Sequence, residues 1–85
     1  MLLHLGQDTV VNTKDIVAIC DLDTSTVSHK TRDFLSNATK KGQVVNVSME
    51  MPKSFIVCND NKTGDKVFIS PISVTTLHKR ADTSI

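Results

Sequence analysis

The stretch DIVAICDL, residues 15 to 22, constrains this chain more than any other. Its apolar residues run together instead of alternating. A strand with one face in water alternates, whereas a continuous run suits a strand covered on both faces. A chain of 85 residues has little material for two covers. It is one small domain that buries a modest share of its surface. A covering helix or another subunit is therefore needed, since small domains recover stability through disulfides, metals or oligomerisation.

The flanking segments supply candidate covers. LLHLG (2–6) predicts a strand, Gly6-Gln7-Asp8 a tight turn, and TVVN (9–12) the return strand of a hairpin. Asn12 to Asp15 is turn-like, because Asn and Asp bond their own backbone. Asp23-Thr24-Ser25-Thr26 is a cluster of N-cap residues. From Val27 to Lys41 the apolar positions 27, 34, 35 and 38, with Thr31, follow helical spacing. Lys40, Lys41 and Gly42 close that helix, with cations at the negative end of the dipole and glycine at the left-handed position. VVNVSM (44–49) alternates like a strand, and Met51-Pro52-Lys53 interrupts it. SFIVCN (54–59) and KVFIS (66–70) flank the turn cluster DNKTGD, which predicts a second hairpin. Pro71 ends that strand, and Ser73 caps VTTLHKRA, whose apolar face is Val74, Leu77 and Ala81. The order ββ-β-α-β-β-β-α predicts an α+β fold. Its expected form is a mainly antiparallel sheet of five to six strands, one long central helix and a short C-terminal helix. One domain spans 1–82, with a disordered tail at 83–85.

Composition narrows the function. The two cysteines, Cys20 and Cys58, sit in apolar runs and are expected as buried, reduced thiols. The opening MLLHLGQD has no basic region and too short an apolar stretch for a signal peptide. No run approaches the roughly 18 apolar residues of a membrane span. A soluble, cytoplasmic protein is expected. His4, His29 and His78 lack metal-ligand spacing, and three scattered glycines build no phosphate loop. Cys58 has no electropositive neighbour to activate it. No catalytic residue, metal or cofactor is expected. Phe34, Phe55 and Phe68 lie in core-like runs, which disfavours base stacking on single strands.

Charge is more informative in its distribution than in its sum of +1. Residues 1–23 hold Lys14 against Asp8, Asp15, Asp21 and Asp23. Residues 24–53 hold Lys30, Arg32, Lys40, Lys41 and Lys53 against Asp33 and Glu50. Such asymmetry attracts phosphates, or lets one subunit's acidic edge meet another's basic edge, or is an ordinary mixed surface. Near the end, His78, Lys79 and Arg80 form a basic helix tip. Cations there complement the helix dipole without any ligand. The tip grips a polyanion only if symmetry multiplies it, because affinity grows with the number of phosphates neutralised.

Three stretches carry a family likeness. MLLHLGQDTVVNTKDIVAICDL, MPKSFIVCND and VFISPISVTTLHKRA resemble the RemA/RemB family of bacterial extracellular matrix regulators, nearest the RemB branch. The resemblance covers almost the whole chain and is weakest in the 27–41 helix and the 60–65 turn. It implies a non-enzymatic regulator of biofilm matrix genes that assembles as a homo-oligomeric ring and contacts double-stranded DNA through repeated arginines. In that pattern the arginines lie in the turn before the third strand and the turn before the Pro-Lys-Ser strand. Here Asp15 stands at the first place, beside Lys14. Met51 and Pro52 stand at the second, beside Lys53. An Asp repels phosphate, and the lost arginines remove bidentate contacts. Lys14 and Lys53 are the positional survivors, and Lys40, Lys41, Lys79 and Arg80 are further candidates. The alternative is an oligomeric scaffold without DNA affinity of its own, acting beside a RemA-type protein.

Overall fold

A computed structural model describes residues 2–22, 29–62 and 64–83. Strand β1 (Leu2–Gly6) and β2 (Thr9–Asn12) form an antiparallel hairpin, with Leu3 opposite Val11 and His4 opposite Val10. A 3-10 turn, Thr13–Asp15, leads into β3 (Ile16–Asp21). Helix α1 (His29–Lys40), β4 (Val44–Asn46), β5 (Ser54–Asp60), β6 (Gly64–Ser70) and α2 (Val74–Thr83) follow. The N-cap cluster at 23–26 and Val27 lie outside the described residues, as do 84 and 85 of the expected tail.

The architecture corrects the expected one. The described residues form two sheets, not one: the β1–β2 pair, and a four-stranded sheet in the order β3-β5-β6-β4. The second sheet is mixed, because β4 runs parallel to β6. No long central helix exists among the described residues: α1 spans 12 residues and covers one sheet face. β4 stops at Asn46, short of the expected 44–49, although Val47 still donates its N–H to the Ile69 carbonyl at 3.0 Å.

Alternation along β5 explains the two cores. Its even positions Ile56 and Cys58 point to one face, where Leu3, Leu5, Val47 and Leu77 close over them. Its odd position Phe55 points to the other, against Ala38 of α1 and Val67 of β6. The hairpin and α2 therefore lie on one side of the sheet, and α1 lies on the other. β5 is thus the strand buried on both faces. The DIVAICDL run is an edge strand, with Ile16 and Ile19 packed into the first core and Cys20 into the second. A register shift between Ile16 and Ala18 turns Val17 out, 67 % exposed.

Local chemistry fixes the joints. Gly42 takes φ +71° after α1. Its N–H bonds the Thr39 carbonyl at 3.0 Å, and the Gln43 N–H bonds that of Ala38 at 2.9 Å. This is the paired Schellman closure that a left-handed glycine permits. Ser73 caps α2, with Oγ accepting from the Thr76 N–H at 3.3 Å. Two fully buried serines tie the β5–β6 end together. Ser54 Oγ donates to the Ile72 carbonyl at 2.7 Å, and Ser70 Oγ donates to the Leu5 carbonyl at 2.6 Å. Ser70 Oγ also accepts from the Ile72 N–H at 3.1 Å. Ser70 therefore binds the hairpin to the four-stranded sheet.

Candidate functional site

The cations singled out in the sequence do not converge. Lys14 sits exposed on the 3-10 turn, its N–H held by Asn12 Oδ1 at 3.2 Å. That turn meets the β5–β6 turn, because Ile16 pairs with Cys58. Lys53 sits exposed at the other end of β5, where its N–H bonds the Ser70 carbonyl at 2.9 Å. Its own carbonyl accepts from the Leu22 N–H at 3.1 Å. β5 spans seven residues; at about 3.3 Å rise per residue the two lysines are separated by roughly 20 Å of strand. The register of β3 on β5 holds them at opposite ends of one sheet.

Lys40 and Lys41 are exposed at the C-terminal end of α1, next to the β4 edge. Lys79 and Arg80 are exposed on α2. Arg80 has a structural duty, since its Nη1 donates to the His4 carbonyl of β1 at 3.1 Å. Leu77 beneath it is fully buried. The basic tip is thus stitched to the hairpin by its guanidinium. His4, in turn, contacts the Gln7 carbonyl through Nε2, which gives this exposed histidine a partner inside its own hairpin.

One residue that the sequence reading passed over joins Lys14. An open groove beneath the 3-10 turn is lined by Lys14, Asp15, Val17, Asp60 and Lys62. The signal for Lys62 lay in the turn cluster 60–65, where Asp60 Oδ1 accepts the Lys62 N–H at 2.8 Å. Its meeting with Lys14 depends on strand register, which no local motif carries. The groove sets two lysines against two aspartates, so its charges offset one another. A smaller cleft of about 200 Å³ beside it is lined by Val10, Asp15, Cys58, Asp60 and Lys66. That volume lies below the range of about 300–1,000 Å³ usual for small-molecule sites.

The thiols are poorly placed for chemistry. Burial and the nearby Asp15 carboxylate push Cys58 up from 9.0 to about 11, and burial raises Cys20 as well. Both effects disfavour the thiolate, which is the nucleophile. Both cysteines are free. Cys20 pairs with Phe55, three residues from Cys58 along β5, or roughly 10 Å, and the two point into opposite cores. Among the described residues no cluster of His, Cys, Asp or Glu is placed to hold a metal ion. No helix there is long and apolar enough to cross a membrane. Phe34, expected in the core, is 43 % exposed on α1.

These features define a small sheet protein with dispersed surface cations and an open apolar edge. Comparison with known proteins is specific. The description "RemA-like: Extracellular matrix regulatory protein A-like" matches residues 2–81. Extracellular matrix regulatory protein B of Bacillus subtilis (strain 168) is 40 % identical over 81 residues, covering 95 % of this chain and 90 % of that relative. The chain belongs to the RemA-like family. The family and the relative are both named as regulators.

Proposed function

We propose that this chain is a non-enzymatic, cytoplasmic regulator of extracellular matrix gene expression that acts as an oligomer on double-stranded DNA. The family match over residues 2–81 carries the reading. Two structural features support it. β3 is the outer strand of the four-stranded sheet among the described residues and exposes Val17, and an edge strand is a template for pairing with another chain. Lys14 and Lys53 stand a sheet length apart, so each copy brings separate, weak phosphate contacts. A ring repeats those contacts, and phosphate neutralisation then accumulates across copies. The contacts go to the duplex backbone, with little base readout.

A second reading is favoured by the groove itself. Asp15 and Asp60 face Lys14 and Lys62 there, and Met51 and Pro52 carry no charge. This reading makes the chain an oligomeric scaffold that binds protein, for instance a RemA-type partner, and leaves DNA to it.

Light-scattering mass after size exclusion, with and without duplex DNA at low and moderate salt, separates the readings. An oligomer that takes up DNA at low salt and releases it at moderate salt supports the regulator. An oligomer that ignores DNA at both salts supports the scaffold. A monomer at micromolar concentration refutes both.

A further inference from the structure

We propose that Met49 and Met51 form an oxidation site on this protein, each taking one oxygen from a hydroperoxide while Cys20 and Cys58 stay reduced. The inference is independent of the regulatory reading above. It rests on where the fold puts its sulfur atoms. Met49 is fully exposed and Met51 is 84 % exposed. Both lie in the loop between β4 and β5, and that loop is held in place. The Val47 N–H bonds the Ile69 carbonyl at 3.0 Å, the Glu50 N–H bonds Ser48 Oγ at 3.0 Å, and the Lys53 N–H bonds the Ser70 carbonyl at 2.9 Å. Two thioethers are thus presented to solvent by an anchored segment instead of filling a core gap, which is the usual work of Met.

The thiols are withdrawn by the same fold. Cys58 is buried under the hairpin and α2, and Cys20 is half-buried under α1. Oxidation of a thiol by peroxide proceeds through the thiolate, and burial raises both cysteines. Thioether oxidation needs no ionisation, only access. The methionine sulfur attacks one peroxide oxygen, an S–O bond forms and the O–O bond breaks. The departing hydroxide (alkoxide, for an organic hydroperoxide) takes up the proton released from the transferred oxygen and leaves as water or alcohol. The thioether loses two electrons and the peroxide gains them. The product sulfoxide is polar and chiral, and a sulfoxide reductase reverses it with thiol reductant. Two apolar groups beside Lys53 are thereby exchanged for two polar ones.

The test is a hydrogen peroxide time course on the native full-length protein, followed by peptide mass spectrometry, with the Met1 peptide read separately. The same course is run on protein unfolded in urea. The expected result is oxygen uptake at both Met49 and Met51 within about threefold of the unfolded rate, with both thiols still free for alkylation afterwards. Methionine sulfoxide reductases of both epimer specificities, with dithiothreitol, then restore the starting mass. In Met49→Leu/Met51→Leu the chain's uptake falls to that of Met1. Greater protection of either methionine in the native protein overturns the proposal. So does loss of either thiol before the thioethers, or an unchanged uptake in the double variant.

Discussion

Replacing Ser70 with Ala should destabilise the fold out of proportion to the one atom removed. Ser70 is fully buried, and its hydroxyl serves two backbone groups. It donates to the Leu5 carbonyl at 2.6 Å and accepts from the Ile72 N–H at 3.1 Å. Alanine leaves both without a partner. A buried polar group left unsatisfied costs about 1–3 kcal/mol. The Ile72 N–H is only partly buried and can recover some of its loss from water. Removing the hydroxyl's own desolvation offsets a little more. The expected net loss is about 2–4 kcal/mol, against a total of roughly 4–13 kcal/mol for a chain of this length. Ser73→Ala is the comparison, since that exposed cap should cost only about 1 kcal/mol. The assay is urea unfolding followed by far-UV circular dichroism at one fixed protomer concentration, because self-association shifts the midpoint. An unchanged slope with a lower midpoint is expected for Ser70→Ala. A loss no larger than that of Ser73→Ala would refute the joint, and with it the view that Ser70 fastens the hairpin to the sheet.

Other outcomes follow from the same geometry. Leu77→Ala should cost about 2–5 kcal/mol by the same assay, because a fully buried side chain between α2 and the hairpin leaves a cavity. Gly42→Ala should cost about 1 kcal/mol through its φ of +71° alone, since a Cβ there meets nothing within 4 Å. Raising pH should lower stability as it passes from 9.0 towards 11. The folded state holds the Cys58 proton more tightly than the unfolded chain does, so that contribution is complete below 9.0 and lost by about 11; Cys58→Ala should flatten this limb of a pH–urea series. Lys14→Ala/Lys53→Ala should weaken DNA retention in gel shift without altering the assembled mass, and an unchanged affinity would remove these residues as the contact.

Much of the fold was legible because its signals are local. Gly6-Gln7-Asp8 makes the first hairpin, Asn12 and Asp60 bond the backbone two residues on, and Ser73 caps α2. Gly42 ends α1 where the lysines and glycine place the end. The pairing of strands was not local. Nothing in VVN distinguishes a parallel partner from an antiparallel one, and packing of α1 on Val44 and Val67 sets it beside β6. The hairpin separates from the main sheet because Leu3 and Leu5 are worth more under α2 and against Ile56 than at a sheet edge. The DIVAICDL run does not mark the strand buried on both faces, which is β5: β3 lies at the sheet edge with no buried residue, and only sends Ile19 and Cys20 partly into opposite cores. It gave no hint of the one-residue shift that turns Val17 outward. The same shift lies between Ile16 and Ala18, beside the turn that brings Lys14 to Lys62. The groove was therefore hidden from the sequence, since Lys62 joins Lys14 only through strand register.

That constellation limits how the proposed DNA contact can work. The logarithm of affinity falls with that of salt by about 0.9 for each phosphate neutralised. Lys14 and Lys53 together allow a slope of about 2 from one copy, too little for useful binding at moderate salt. Asp15 and Asp60 reduce it further by facing the same groove as Lys14 and Lys62. With Lys14 and Lys53 as the contacts, a steep slope arises only if several copies touch the duplex at once, so the slope that remains when Lys40, Lys41, Lys79 and Arg80 are replaced counts copies as well as lysines. A DNA-binding oligomer with a slope near 2 engages the duplex with a single copy, and its assembly serves something other than affinity. A slope several times larger makes assembly the source of affinity, and the exposed β3 edge becomes as necessary to DNA binding as either lysine.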